Sequence, residues 1–264
     1  MSKKFVRFCV PTLFERRELN LRSFANLIRQ AEEADIDYEI DIIANQNFEY
    51  FRAIDFEEYE SKVNKLENDS EFNISKSVNM SLEKLQPGEY FCFHHDDMFV
   101  LDEDWIQKCI NISDDKSMNT GVIGLRLHST GNEYCIDFGN HYGWDIDKVL
   151  WADGILWLSH DIRNEIGLID ERYKGDREFQ SYCYRAMKSG YNNFAILNRP
   201  KRQWNHVGTP FETKTSINVQ GLLESQQRAE ELFYKEWGQW EREHGITNQV
   251  IDYKEILRLE GENK

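Results

Sequence analysis

A chain of 264 residues that is 40% apolar, with 16 Phe, 12 Tyr and 7 Trp, can bury one substantial core and sits near the upper size of a single domain. Its formal charge of −15 opposes any broad attraction to nucleic acid or an anionic membrane. No stretch approaches the unbroken apolar length that crosses a bilayer, and Met1-Ser2-Lys3-Lys4 runs into a strand without a signal-peptide core, so the expected location is cytoplasmic.

Phe5 to Val10 reads as a β-strand stopped by Pro11-Thr12, and Leu21, Phe24, Leu27, Ile28 and Ala31 give Leu19 to Ala34 a helical period. Tyr38 to Ala44 is a second strand, and the long connection makes the pair a parallel βαβ start. Asp55 to Asp69 is charged and weakly periodic, which predicts a surface helix or loop. Asn73 to Leu85 predicts a helix that ends at Pro87-Gly88 and delivers the chain into another strand. Further along, Trp105 to Ile112 predicts a helix, Gly121 to Leu127 a strand, and Tyr134 to Gly143 an irregular or hairpin segment. Leu150 to Leu158 is an apolar run broken by Ala152-Asp153-Gly154. Ser159 can cap a helix that stops at Gly167; Arg177 to Lys188 is helical and closed by Gly190, and Asn193 to Leu197 is a strand. Gly221 to Trp240 is a long amphipathic helix, expected to pack over the sheet or to make a homodimer contact. Cys9, Cys92, Cys109, Cys135 and Cys183 form no CxxC pair and read as free thiols, most of them buried.

Residues 89 to 100, Glu-Tyr-Phe-Cys-Phe-His-His-Asp-Asp-Met-Phe-Val, carry the most chemistry. An apolar strand ends abruptly in His94, His95, Asp96 and Asp97. Adjacent carboxylates at a core edge repel one another and lose hydration, which suggests a compensating divalent cation, magnesium or manganese, bridging protein to a diphosphate. Ligands of open α/β sheets gather outside the carboxyl ends of the strands, so Pro11 and Thr12, Asn45, and Asp96 with Asp97 are expected to line one crevice. The plainer alternative for Asp96-Asp97 is a capping turn before Asp102-Glu103-Asp104-Trp105.

From Phe5 to Phe211 the chain resembles the family 2 glycosyltransferases of GT-A fold, which move a sugar from a nucleotide-sugar donor to an acceptor hydroxyl. Val10-Pro11-Thr12 with Arg16 is similar to the family's Pro-Thr-x-x-x-Arg loop, which meets the donor nucleotide, and Asn45 stands where the family has a base-reading aspartate. Asn73-Ile74-Ser75-Lys76-Ser77-Val78-Asn79 resembles the helix start beyond the nucleotide pocket, implying donor-side roles for Ser75, Lys76 and Asn79. His95-Asp96-Asp97 looks like the Asp-x-Asp metal motif with its first aspartate replaced by histidine. The resemblance makes Asp97 a metal ligand with His95 beside it, and turns Asp96 toward ribose or the donor sugar; the lost charge favours manganese.

Gly175-Asp176-Arg177-Glu178-Phe179 stands at the family's Gly-Glu-Asp motif, before a helix closed by Gly190-Tyr191, so the general base falls to Asp176 or Glu178. Ordinary acids of a helix N-terminus account for both equally well. Trp151-Ala152-Asp153-Gly154 sits where the family binds acceptor, giving Trp151, Asp153 and Gly154 that role, although the tryptophans also suit a core. Trp204-Asn205-His206-Val207-Gly208 resembles a late histidine motif that completes the metal shell, which a loop histidine would mimic.

The implied fold is α/β, a GT-A-type nucleotide-diphospho-sugar transferase with a mostly parallel central sheet flanked by helices. Residues 1–212 would form it (1–100 the nucleotide-sugar half, 101–212 the acceptor half), with a helical appendage over 213–264. The implied activity is an inverting, metal-dependent transfer to a glycan or glycoconjugate. Two alternatives stand beside it: a phage-type transferase acting on hydroxymethylated bases in DNA, against which the acidic charge counts, and a non-catalytic nucleotide-sugar-binding protein. A nucleotidyltransferase would show a Gly-rich loop after the first strand, which Pro11-Thr12-Leu13-Phe14 lacks.

Overall fold

The computed structural model describes residues 3–56, 59–69, 73–100, 102–125, 135–141, 144–152, 154–174, 177–197, 204–206 and 219–243. It opens with strand β1 (Phe5–Thr12), helix α1 (Arg17–Glu33) and strand β2 (Asp37–Ala44). β1 and β2 pair in parallel from Phe5 opposite Asp37 to Thr12 opposite Ala44, the expected βαβ unit. A short helix α2 (Phe48–Arg52) follows, and then strand β3 (Val63–Glu67), parallel to β2.

β3 corrects the expectation of a helix or loop over 55–69. Only Val63 of this strand is fully buried, because β3 lies at the sheet edge with one flank solvated; its Asn, Lys and Glu therefore leave no alternating apolar signal.

Helix α3 (Ile74–Leu82) is capped by Asn73, whose side chain accepts from the Lys76 amide, and leads into β4 (Tyr90–His94), which lies in parallel beside β1. The next elements are β5 (Met98–Val100), α4 (Trp105–Asp114), β6 (Thr120–Leu125), β7 (Cys135–His141), β8 (Trp144–Val149) and β9 (Ile155–Ser159). After them come α5 (His160–Ile166), α6 (Glu178–Lys188), β10 (Asn192–Leu197), β11 (Trp204–His206) and α7 (Val219–Glu243).

Among the described residues the main sheet has nine strands in the order β3-β2-β1-β4-β9-β6-β10-β8-β7, and β5 pairs with β11 in a separate ribbon. β9 runs against both β4 and β6, and β8 against both β10 and β7. The sheet is thus mixed, with β8 and β9 reversing the direction shared by the rest. β7 and β8 form the hairpin that two residues between strands require.

Both faces are covered. Val6, Phe8 and Val10 point to one side and pack with Phe24, Leu27, Ile28 and Ala31 of α1 and with Trp105 of α4. Cys9, Phe91 and Phe93 point to the other, against Val78 and Leu82 of α3 and Tyr182, Cys183 and Ala186 of α6. This period-two alternation fixes the register, since a one-residue slip would exchange the two faces. α7 packs on neither face. Ala229, Phe233 and Trp237 join Tyr173 and Tyr184 in a third cluster, so the helix covers α6 and the loop before it.

Candidate active site

The acidic turn is held from below by α1. Asn20 Nδ2 donates to the Asp96 carbonyl at 3.1 Å and to its carboxylate at 2.9 Å, Ser23 Oγ donates to the Met98 carbonyl at 2.9 Å, and Gln30 Nε2 to the Val100 carbonyl at 2.7 Å. Gln30 Oε1 accepts from the Trp105 indole at 3.1 Å, which ties α4 into the same clamp. Thr12 Oγ1 donates to the Asp96 carboxylate at 2.5 Å and accepts from the Phe14 amide at 2.9 Å. Phe14 has φ of 52°, a left-handed conformation uncommon outside glycine, and its buried ring packs edge-on to Phe51. Strain in this loop therefore supports the hydroxyl that grips Asp96.

Thr12 and Asp96, both expected to meet the donor, bond to one another. Burial and the neighbouring Asp97 charge push the Asp96 carboxyl up to about 6, against the lowering effect of the Thr12 hydrogen bond and Arg16. Asp97 is 4% exposed, and its carboxylate is paired with the Arg16 guanidinium. His95 lies edge-on to Phe93, with ring centroids 4.8 Å apart.

A cation at Asp97 would have to take most of its ligands from substrate phosphates and water. Pairing of β11 with β5 puts His206 opposite Met98, the residue after Asp97. Among the described residues no group of three or more His, Cys, Asp or Glu forms a complete cage. Magnesium-like ions suit such a partial set, because they keep waters and take substrate phosphates as ligands.

The loops after β1 and β2 lie on the same side as the acidic turn, since β1 stands between β2 and β4. Asn47 Nδ2 donates to the Leu13 carbonyl at 2.8 Å and Gln46 Nε2 to Glu15 at 2.7 Å, which joins the two loops. Pro11 lies opposite Ile43 in the ladder, one residue short of the strand end. Asn45 accepts from Ser77 Oγ at 2.8 Å and donates to the Asn68 carbonyl at 3.3 Å. A neutral amide locked in this way still has one N–H and one lone pair to offer a base.

On the acceptor side, Glu178 is the first residue of α6 and is 6% exposed. Phe179 packs at a tilt against Phe93 with centroids 4.5 Å apart, and Phe93 meets His95, so an aromatic bridge links the start of α6 to the acidic turn. Arg177, at φ of 65°, precedes Glu178 and donates to Glu230 of α7 at 2.7 Å and to Gln180. Trp151 is partly buried against Tyr184, and Gly154 is buried with φ of 77°. Asp153 and Asp176 lie outside the described residues.

Ser75 and Asn79 are buried and face the loop before α6. Ser75 Oγ donates to the Tyr173 carbonyl at 2.8 Å; Asn79 Nδ2 donates to the Ile169 carbonyl at 2.8 Å, and its oxygen accepts from the Ile169 amide at 3.0 Å. Their hydrogen bonds join the two halves of the molecule. Lys76 stands in the first turn of α3, with its amide bonded to the Asn73 cap.

The backbone matches solved glycosyltransferases. The catalytic domain of Drosophila β1,4-galactosyltransferase 7, solved with xylobiose, is 13% identical, with a TM-score of 0.52 over 84% of this chain and 79% of that one. A Pyrobaculum calidifontis mannosyltransferase in complex with GDP-Man and Mn2+ is 12% identical, with a TM-score of 0.55 over 76% of this chain and 59% of that one. S. aureus TarS in complex with UDP-GlcNAc is 14% identical, with a TM-score of 0.54 over 84% and 64%. The chain has the GT-A fold. Neither a family model nor a curated protein sequence matches it, so the GT-A likeness resides in the backbone. No described helix is long and apolar enough to cross a membrane.

Sequence reasoning missed three supports of this GT-A site: Asn20, Ser23 and Gln30. Their signal was present, because they fall in phase with Phe24, Leu27 and Ala31 on the buried stripe of α1. Polar residues in phase with a core face must find buried partners, and here those partners are the carbonyls that shape the acidic turn. Glu230 and Arg177 had no comparable signal, since their meeting depends on how α7 docks.

Proposed function

We propose that the protein is a glycosyltransferase that uses a divalent cation and a nucleotide-sugar donor to glycosylate an acceptor hydroxyl on a glycan or glycoconjugate. The observation that carries this reading is the buried Asp97, three residues beyond β4 and ion-paired to Arg16 of the loop after β1, with Phe93 of β4 meeting Phe179 at the start of α6. On the same fold, a galactosyltransferase is described with manganese and UDP-Gal and a mannosyltransferase with GDP-Man and Mn2+, which supports the same donor chemistry here.

Asp97 and His206 are the residues that would hold the cation, which when bound would neutralise the charge of the departing nucleoside diphosphate. Arg16 and the Thr12 loop would orient the diphosphate. Pro11 and Asn45 would line the base side, with Lys76 at its rim. Glu178 or Asp176 would take the acceptor hydroxyl proton as that oxygen bonds to the anomeric carbon and the bond to the diphosphate breaks. Attack opposite the leaving group inverts the anomeric configuration. Trp151, Asp153 and Gly154 would receive the acceptor. Glu178 is buried at the first position of α6.

The reading is tested by incubating the protein with a panel of UDP- and GDP-sugars, Mn2+ and oligosaccharide acceptors, and measuring nucleoside diphosphate release. Asp97→Ala should reduce Mn2+-dependent release by about a hundredfold or more with its unfolding midpoint retained, as expected for a lost charge-stabilising contact. Undiminished release by Asp97→Ala would contradict it. Near-wild-type rates for both Glu178→Gln and Asp176→Asn would remove this segment as the source of the base.

A further inference from the structure

We propose that Tyr173 is a positioning residue for the acceptor side: its carbonyl is held by Ser75 of α3 and its hydroxyl by Glu236 of α7, and this two-ended grip fixes the chain that leads to the general base. The inference rests on the reading of Asp176 or Glu178 as that base, and it gives Ser75 to the acceptor-side loop instead of to the donor.

The stretch between α5 and α6 belongs to no strand, so its backbone depends on side chains for partners. Helix α3 supplies them from one direction. Asn73 Nδ2 donates to the Glu171 carbonyl at 2.9 Å, Asn79 exchanges two bonds with Ile169, and the fully buried Ser75 donates through Oγ to the Tyr173 carbonyl at 2.8 Å. Ser75 and Asn79 stand one turn apart, on one face of the helix.

Helix α7 supplies the other direction. Tyr173 is fully buried with its ring edge-on to Phe233, and its hydroxyl donates to one oxygen of Glu236 at 2.9 Å. The second oxygen of Glu236 pairs with Arg172 at 2.6 Å. Arg172 also bonds to Asp170, whose carbonyl accepts from the Tyr173 amide at 3.2 Å, so one carboxylate of α7 secures a whole turn. Further on, Ser225 Oγ donates to the Lys174 carbonyl at 2.9 Å, and Glu230 accepts from Arg177 at 2.7 Å. These two bonds flank Asp176 in the chain and stop one residue before Glu178.

The apolar contacts of Ala229, Phe233 and Trp237 keep α7 docked when a single hydroxyl is removed. What is lost is direction, because a hydrogen bond fixes an angle that apolar packing leaves loose. A catalytic group displaced by about 1 Å can cost about a hundredfold in rate. The donor side is untouched, so the loss should fall on kcat.

The test measures kcat, acceptor KM and the calorimetric donor dissociation constant, with the sugar nucleotide that the wild type uses and Mn2+, in Tyr173→Phe, Glu236→Ala, Glu236→Gln and Ser75→Ala. Tyr90→Phe is the control, since it deletes another buried hydroxyl, bonded to Asp114, at the end of β4 away from the acidic turn. Tyr173→Phe, Glu236→Ala and Ser75→Ala should each lower kcat about tenfold and leave the donor dissociation constant within about twofold. Tyr173→Phe/Glu236→Ala should be little worse than the poorer single variant, as for partners in one interaction. Glu236→Gln, which still accepts from the hydroxyl, should recover most of the rate, and Tyr90→Phe should keep the wild-type kcat. A kcat within about twofold of wild type in Tyr173→Phe, or an equal loss in Tyr90→Phe, would overturn the positioning role and leave glycosyl transfer standing. Weakened donor binding in Ser75→Ala with kcat retained would return Ser75 to the donor and overturn it too. No diphosphate release by the wild type with any donor would overturn the proposed function and this inference together.

Discussion

Asp96 and Asp97 are adjacent in sequence and differ in environment. Asp97 meets a guanidinium, whereas Asp96 meets a hydroxyl and an amide, which compensate a charge less completely. The Asp96 carboxyl is consequently pushed from 3.8 up to about 6 by burial and by the Asp97 charge. A carboxyl whose folded value exceeds its unfolded one holds its proton more tightly when folded. Its contribution to stability is full below about 3.8 and is lost as the pH rises through about 6. In the metal-free protein, Asp96→Asn should therefore gain stability relative to the wild type between pH 4.5 and 7.5, by about 1 to 3 kcal/mol. Urea unfolding at the two pH values checks this, and an unchanged difference would mean that Asp96 does not titrate in that window. The two aspartates were legible as an adjacent acidic pair at the end of a strand. Their division of labour was not, because it depends on Thr12, Arg16 and Asn20, each about 80 residues away in the chain.

Two helices determine whether the site holds its shape. α1 spends three of its core-facing positions on carbonyls of the 96–100 segment, which frees β5 to leave the main sheet and pair with β11. Gln30→Leu would leave the Val100 carbonyl and the Trp105 indole without that amide, at about 2 to 4 kcal/mol for two buried polar groups. Chemical unfolding measures the loss; a cost below about 0.5 kcal/mol would show that water or a shift of β5 replaces both bonds. At the other end, α7 holds the residue before Glu178. Arg177 keeps its left-handed backbone while its side chain bonds to Glu230 and lies over Phe233, at 5.4 Å from the ring centroid. Under the proposed function, Glu230→Ala should lower kcat about tenfold and leave donor affinity within about twofold, since it would loosen the proposed base without touching the proposed donor side. Equal losses in both would place α7 with the donor instead. The period of α7 was readable in the sequence, but its target was not: Tyr173 and Tyr184 look like ordinary core residues until α7 is docked on them.

At the scale of the molecule, the strands that were easiest to read are those buried on both faces. β1 and β4 are largely apolar runs and β2 becomes one from Ile40 on apart from Asp41, because helices cover both sides, whereas β3 at the edge is mostly polar and β5 and β11, at three residues each, are too short to register. The loops after β1, β2 and β4 bond to one another where the well-marked strands end, and for that reason they could be grouped from sequence alone. The opposing wall could not. It is assembled by Ser75 and Asn79 binding the 169–173 loop and by Phe179 packing at a tilt against Phe93, contacts that join residues 80 to 100 positions apart. A single buried carboxylate at the meeting point of these walls is the basis of the functional reading. The most direct measurement is a crystal structure grown with Mn2+ and UDP or GDP, with data collected at the manganese absorption edge. The account predicts an anomalous peak within about 2.2 Å of an Asp97 oxygen, bridging to the diphosphate. A diphosphate bound elsewhere, with the Arg16–Asp97 pair intact, would contradict it.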